Sequence, residues 1–151
     1  MTAPLHWKLK NFAELTAQEV YAILQVRAEV FVVEQNCPYL DADGNDDQAL
    51  HLWAEQNGEI IAYCRLFGPG IKYKEPSIGR VLTKESARRT GTGKILMKLA
   101  LEAIHTHYGT TECRISAQDY LLRFYEGFGF IATDHRYLED DIPHTEMHRR
   151  Q

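Results

Sequence analysis

The residues best placed to do chemistry lie in Arg88-Arg89-Thr90-Gly91-Thr92-Gly93-Lys94. Before them runs a short, half-apolar stretch ending in Val81, Leu82 and Thr83. After them Ile95, Leu96, Leu99, Ala100, Ala103 and Ile104 recur at the spacing of a helix with one apolar face. A strand, a glycine-bearing loop and a helix in that order aim unpaired N–H groups and the positive helix end at an anion. Glycine permits the close approach and the positive φ that such a loop requires. A Walker-type loop is excluded, because Arg88 stands where its first glycine belongs and Ile95 where its hydroxyl residue belongs. The dinucleotide fingerprint is excluded as well, because Leu96 replaces its third glycine.

A second cluster follows about thirty residues on, in Asp119-Tyr120-Leu121-Leu122-Arg123-Phe124-Tyr125-Glu126-Gly127-Phe128-Gly129-Phe130. The glycines stop a helix, and Phe130-Ile131-Ala132 begins a strand. Phe124 and Phe130 read as core. Tyr125 is different, because a buried phenol normally needs a partner for its hydroxyl.

The pattern [Arg/Gln]-x-x-Gly-x-[Gly/Ala], followed at this distance by Phe-Tyr-x-x-x-Gly-Phe, resembles the GNAT acyltransferase superfamily. Arg27-Ala28-Glu29-Val30-Phe31-Val32-Val33-Glu34-Gln35-Asn36-Cys37-Pro38-Tyr39, then Asp41, Asp43, Asp46 and Ala49-Leu50-His51, resembles its ElaA-like branch, with a more distant similarity to acyl-homoserine-lactone synthases. The resemblance implies an α/β (α+β) three-layer domain over residues 1–151, with a mixed, twisted sheet whose fourth and fifth strands splay apart around acyl-CoA. It implies transfer of an acetyl group from acetyl-CoA to an amine of a small-molecule or peptide acceptor. The rival reading is a non-catalytic acyl-CoA-binding or sensing domain.

By the same resemblance, the backbone of Val81, Leu82 and Thr83 runs along the pantetheine arm, and the main chain of Arg88, Arg89, Thr90, Gly91, Thr92, Gly93 and Lys94 holds the pyrophosphate. Direct transfer needs a neutral amine, a donor for the carbonyl oxygen and a proton for the leaving thiolate. Tyr125 is the expected general acid. Glu34, His51 or a water relay is the expected base. Arg27, Tyr39 and Gln118 are candidates for the acceptor pocket, although a structural ion pair is the stronger reading of Arg27.

Composition bounds the rest. A chain of 151 residues suits one domain. A net charge of −4 and the lack of a basic block argue against nucleic-acid binding. No apolar run approaches a membrane span, and Met1-Thr2-Ala3-Pro4 opens no signal peptide. Cys37, Cys64 and Cys113 form neither a disulfide framework nor a zinc pattern, so a reducing cytoplasm and three small buried residues are expected. A homodimer is left open. His105-Thr106-His107 lacks helical metal-ligand spacing, so no metal is expected. Asp41-Ala42-Asp43-Gly44-Asn45 opens like a calcium loop, but Asp46 and Leu52 occupy its required glycine and glutamate positions. A solvated acidic loop is expected there instead.

The elements that position these residues follow from local pattern. Trp7 and Leu9 mark a first strand. Thr16 with Glu19 caps a helix carrying Val20, Ile23, Leu24, Arg27 and Phe31. Leu50–Gln56 and Glu59–Phe67 read as strands joined by an Asn57-Gly58 hairpin turn. Ile78–Leu82 is the fourth strand and Glu112–Ser116 the next. A helix spans about Tyr120–Glu126, and strands near 128–133 and 145–149 end the chain.

Overall fold

The computed structural model describes residues 3–150; Met1, Thr2 and Gln151 lie outside it, and with them half of the Met1-Thr2-Ala3-Pro4 opening considered above. Strand β1 (His6–Asn11) leads to helix α1 (Ala17–Arg27), whose end widens into a π-helical stretch over Ala28–Glu34. Strands β2 (Leu50–Gln56), β3 (Glu59–Phe67) and β4 (Ser77–Thr83) follow. Helix α2 (Thr92–Tyr108), strand β5 (Cys113–Gln118), helix α3 (Leu122–Glu126) and strands β6 (Phe130–Glu139) and β7 (Ile142–Arg149) complete the chain.

Local chemistry explains the boundaries. Thr16 Oγ1 accepts from the Glu19 N–H at 3.1 Å while Glu19 Oε1 accepts from the Thr16 N–H at 2.9 Å, a reciprocal cap on α1. Asn57 and Gly58 take φ values of 53° and 77°, the left-handed pair that a two-residue hairpin requires. The last hairpin is longer than its apolar pattern suggests. Asp140 and Asp141 turn it with φ values of 52° and 62°, and this acidic pair lacks the glycine that normally signals such a turn.

The strands form one sheet in the order β1-β2-β3-β4 and another in the order β5-β7-β6, every ladder antiparallel. Where β4 and β5 come together, the Arg114 N–H of β5 donates to the carbonyl of Pro76, the residue just before β4, at 2.9 Å. Beyond that bond the two strands form no ladder. The expected splay is therefore present, as a gap between two sheets that touch at one end.

Residue alternation on β2 and β3 divides the core. Trp53 and Tyr63 face α1, packing with Ile23, Val26 and Val30. Leu52, Ala54, Ala62 and Cys64 face α2, packing with Leu96, Met97, Ala100 and Ile104. Helix, sheet and helix make three layers. Ile95, expected on the buried face of α2, is exposed, because Met97 takes its place in the stripe. All three cysteines are buried and free. Burial pushes the Cys113 thiol up to about 12, which suits a packing residue and not a nucleophile. No helix of the described residues is long and apolar enough to cross a membrane.

Candidate active site

The splay opens into a cleft of about 560 Å³ beside the N-terminus of α2. Val81, Leu82 and Thr83 form one wall, Arg88, Arg89, Gly91, Gly93 and Lys94 the floor, and Gln118, Phe124 and Tyr125 the far side. Gly91 caps α2 with φ 84° and no side chain bonds back to the first turn, so the N–H groups that open the helix stay available. Thr90 and Thr92 do not line the cleft. The Thr90 hydroxyl bonds the Ala87 carbonyl and lies 2.7 Å from Thr92 Oγ1, so these two residues shape the loop.

A β-bulge distorts β4 beside this cleft. Gly79 pairs with Arg65 and Leu82 with Tyr63, leaving Arg80 and Val81 opposite Cys64 alone. Arg80 adopts φ 51°, an unusual value for a residue with a side chain. Its guanidinium is anchored by Asp41, with Nε donating to Oδ1 at 2.8 Å and Nη2 to the main-chain carbonyl at 2.9 Å. Most of the acidic loop is exposed, as expected from sequence, but its Asp41, Asp43 and Asp46 carboxylates are held by arginines. Arg27 donates to Asp41 Oδ2 at 2.7 Å and to Asp46 Oδ1 at 2.6 Å, while Arg65 holds Asp43 and Asp46. Three arginines from α1, β3 and β4 converge on three aspartates, a pairing across long sequence distances that local pattern does not reveal.

Tyr125 stands where this cleft meets a second pocket of about 100 Å³. Phe31, Gln35, Val81, Gln118 and Tyr125 line both cavities. The Tyr125 ring is held edge-on against Phe124 and Phe130, at centroid separations of 5.2 and 6.1 Å. Asp119 Oδ1 accepts from Thr145 Oγ1 at 2.7 Å and so ties the chain entering α3 to β7. No protein group among the described residues hydrogen-bonds the Tyr125 hydroxyl, and burial pushes its pKa above the ordinary phenol value.

The other expected site residues divide. Gln118 reaches the junction, with Oε1 3.5 Å from Gln35 Nε2. Tyr39 lines the smaller pocket, its hydroxyl donating to Asp141 Oδ2 at 2.6 Å. Glu34 lies on the cleft's side and pairs with Arg88, which also donates to the Thr83 carbonyl at 2.9 Å; this carboxylate braces the loop and does not line the smaller pocket. His51 is a correction. It is 1% exposed, lines neither cavity, and has Nδ1 2.7 Å from the Tyr63 hydroxyl and Nε2 2.9 Å from the Asp46 carbonyl. Both ring nitrogens are occupied. Arg27 is likewise a buried structural cation and not a pocket residue, since its guanidinium is consumed by Asp41 and Asp46.

Sequence reasoning missed His144. It lines the smaller pocket with Glu139, and it lies on the part of β7 that precedes the strand marked by local pattern near 145–149. The signal that could have found it is the Asp140-Asp141 turn, which sets the hairpin register placing His144 opposite Tyr137 and Gln118.

A splayed pair of sheets, a bulged strand and a glycine-capped helix define an acyl-CoA transferase architecture, and comparison with known proteins agrees. The GNAT acetyltransferase domain family matches residues 13–150, and the chain belongs to that family. Protein ElaA of Escherichia coli is 39% identical over 147 residues, covering 96% of each chain. The crystal structure of E. coli ElaA superposes with a TM-score of 0.90 over 97% of this chain and all of that one, at 38% identity. An acyl-CoA N-acyltransferase from Pseudomonas aeruginosa superposes with a TM-score of 0.91 at 44% identity, covering 97% of this chain and 99% of that one. Acyl-CoA-dependent acyl transfer is the general activity of this fold.

Proposed function

We propose that the protein is an N-acetyltransferase that moves an acetyl group directly from acetyl-CoA to the amine of a small-molecule or peptide acceptor. The observation that carries this reading is the unpartnered Tyr125 hydroxyl at the junction of a long cleft and a small polar pocket. Acetyl-CoA fits the larger cleft chemically. The first turn of α2 offers backbone donors to a pyrophosphate, and Gly93 leaves the approach open. The bulge at Arg80 interrupts the β3–β4 ladder at Val81, a residue that lines both cavities, so its backbone is a candidate partner for a thioester carbonyl held between them. A main-chain N–H there would stabilise the oxyanion at little reorganisation cost. Tyr125, kept protonated by burial, gives its proton to the leaving sulfur.

The acceptor enters from the smaller pocket. A panel of amines incubated with acetyl-CoA, read by free thiol and by mass of the acetylated product, tests the proposal. Thiol release that depends on the amine supports it. Tight acetyl-CoA binding without turnover of any amine would instead make the chain an acyl-CoA sensor.

A further inference from the structure

With His51 buried and both its ring nitrogens occupied, and Glu34 paired to Arg88, the acceptor amine needs another base, and the structure assigns that role to His144. This inference rests on the acetyl-transfer reading above. His144 Nδ1 lies 2.7 Å from the Ile142 carbonyl, which can only accept, so Nδ1 carries a proton and Nε2 is the nitrogen whose lone pair can take one. The ring is held nearly parallel to Tyr137 at a 20° interplanar angle and 6.1 Å between centroids. Tyr137 is fixed in turn by a hydrogen bond to Ser116. The imidazole is therefore oriented from both sides.

What Nε2 faces names the chemistry. Glu139 Oε2 lies 3.5 Å away, and Glu139 has no other ion pair among the described residues. A lone pair and a carboxylate thus share one corner of the smaller pocket, which Tyr125 and Gln118 also line. Two acceptors side by side call for a donor with more than one hydrogen, and a primary alkylammonium supplies it. Lys72 and Arg65 also line this pocket; Arg65 is committed to Asp43 and Asp46, and Lys72 feels the Glu139 charge without forming an ion pair with it, so the half-exposed Glu139 carboxylate can still meet an ammonium.

Nε2 takes one proton from R–NH₃⁺, and the freed nitrogen pair forms a C–N bond to the thioester carbonyl carbon. The C–S bond breaks, and sulfur leaves with the Tyr125 proton. The excess proton on nitrogen returns to Tyr125, and the imidazolium releases its own to solvent. One amide, one thiol and one proton result.

The test uses the whole chain with acetyl-CoA and two probe amines, butylamine and hydroxylamine, near neutral pH. Butylamine is almost wholly protonated there and needs a base before it can attack; hydroxylamine is already neutral. His144→Gln keeps a donor for the Ile142 carbonyl but removes the base. We expect kcat/KM for butylamine to fall about 10²-fold, with little change for hydroxylamine and unchanged acetyl-CoA affinity by calorimetry. In His144→Ala, added imidazole should restore the butylamine rate. Equal losses with both amines, or none, would overturn the role of His144 while leaving acetyl transfer standing. A wild-type protein that binds acetyl-CoA but acetylates neither these two amines nor any member of the amine panel would overturn both.

Discussion

Arg80 and Asp41 are joined by two hydrogen bonds, one to the carboxylate at 2.8 Å and one to the main-chain carbonyl at 2.9 Å. The pair links the bulge in the cleft's wall to the acidic loop. The same Asp41 carboxylate also receives the fully buried Arg27. One aspartate therefore fixes both a backbone distortion and a buried cation.

Removing it should be costly. Asp41→Ala leaves the Arg27 Nε without its carboxylate at a site with no solvent, and breaking a buried pair from one side costs about 3–5 kcal/mol. Glu34→Gln, which breaks a partly exposed pair with Arg88, should cost under about 1 kcal/mol. Urea denaturation of the two variants checks the contrast. Equal losses would mean that the aspartate network does not hold the fold.

Acid should act through the same network. Hydrogen bonds from Arg65 hold the Asp43 carboxyl well below its usual range. Burial pushes Asp46 the other way, but bonds from Arg27 and Arg65 outweigh it and leave its pKa lowered. A carboxylate whose pKa is depressed by folding contributes fully above its ordinary value and loses that contribution as pH falls. The melting temperature should therefore drop steeply below about pH 4, and Asp43→Asn should flatten that drop while lowering the melting temperature at neutral pH. A wild-type melting temperature that stays level down to about pH 2 would contradict this.

Gly93→Val tests the placement of acetyl-CoA. A Cβ at this position meets Thr83 Cγ2 at 3.7 Å and the Phe124 ring at 3.8 Å, ordinary contacts that the fold accepts. The added methyls would occupy the cleft floor, where the pyrophosphate must approach the backbone. Acetyl-CoA affinity should fall at least tenfold, about 1.4 kcal/mol, with the melting temperature little changed. Unaltered affinity in the folded variant would move the binding site elsewhere.

Tyr125→Phe tests the acid. A group that works mainly in the transition state lowers kcat and kcat/KM together and leaves binding intact. We expect a fall of about 10²-fold, the low end for acid catalysis, because a thiolate leaves readily. Burial raises the phenol pKa, so the wild-type rate should show no loss from this group below about pH 10. Weaker acetyl-CoA binding with unchanged kcat would make Tyr125 a binding residue only.

Much of this architecture was legible in local chemistry. The Thr16–Glu19 cap, the Asn57-Gly58 turn, the glycine loop before α2 and the Phe124-Tyr125 pair all act over a few residues, and each appears where spacing put it. The last hairpin was legible only in part, because Asp140 and Asp141 adopt left-handed φ without glycine to announce it. His51 illustrates the opposite failure. Its residue type suited a base, but strand register turned it toward Tyr63 and away from the cleft.

The sequence by itself determined the elements, the anion-holding loop and the tyrosine, because capping, turn geometry and hydrophobic periodicity are short-range forces written in adjacent residues. Only the tertiary structure decided which polar side chains share a site. Arg80 meets Asp41 from 39 residues away, and His144 reaches Tyr125's pocket because β7 inserts between β5 and β6. Such meetings depend on strand order and register, which are settled by burying whole faces of sheet and helix at once.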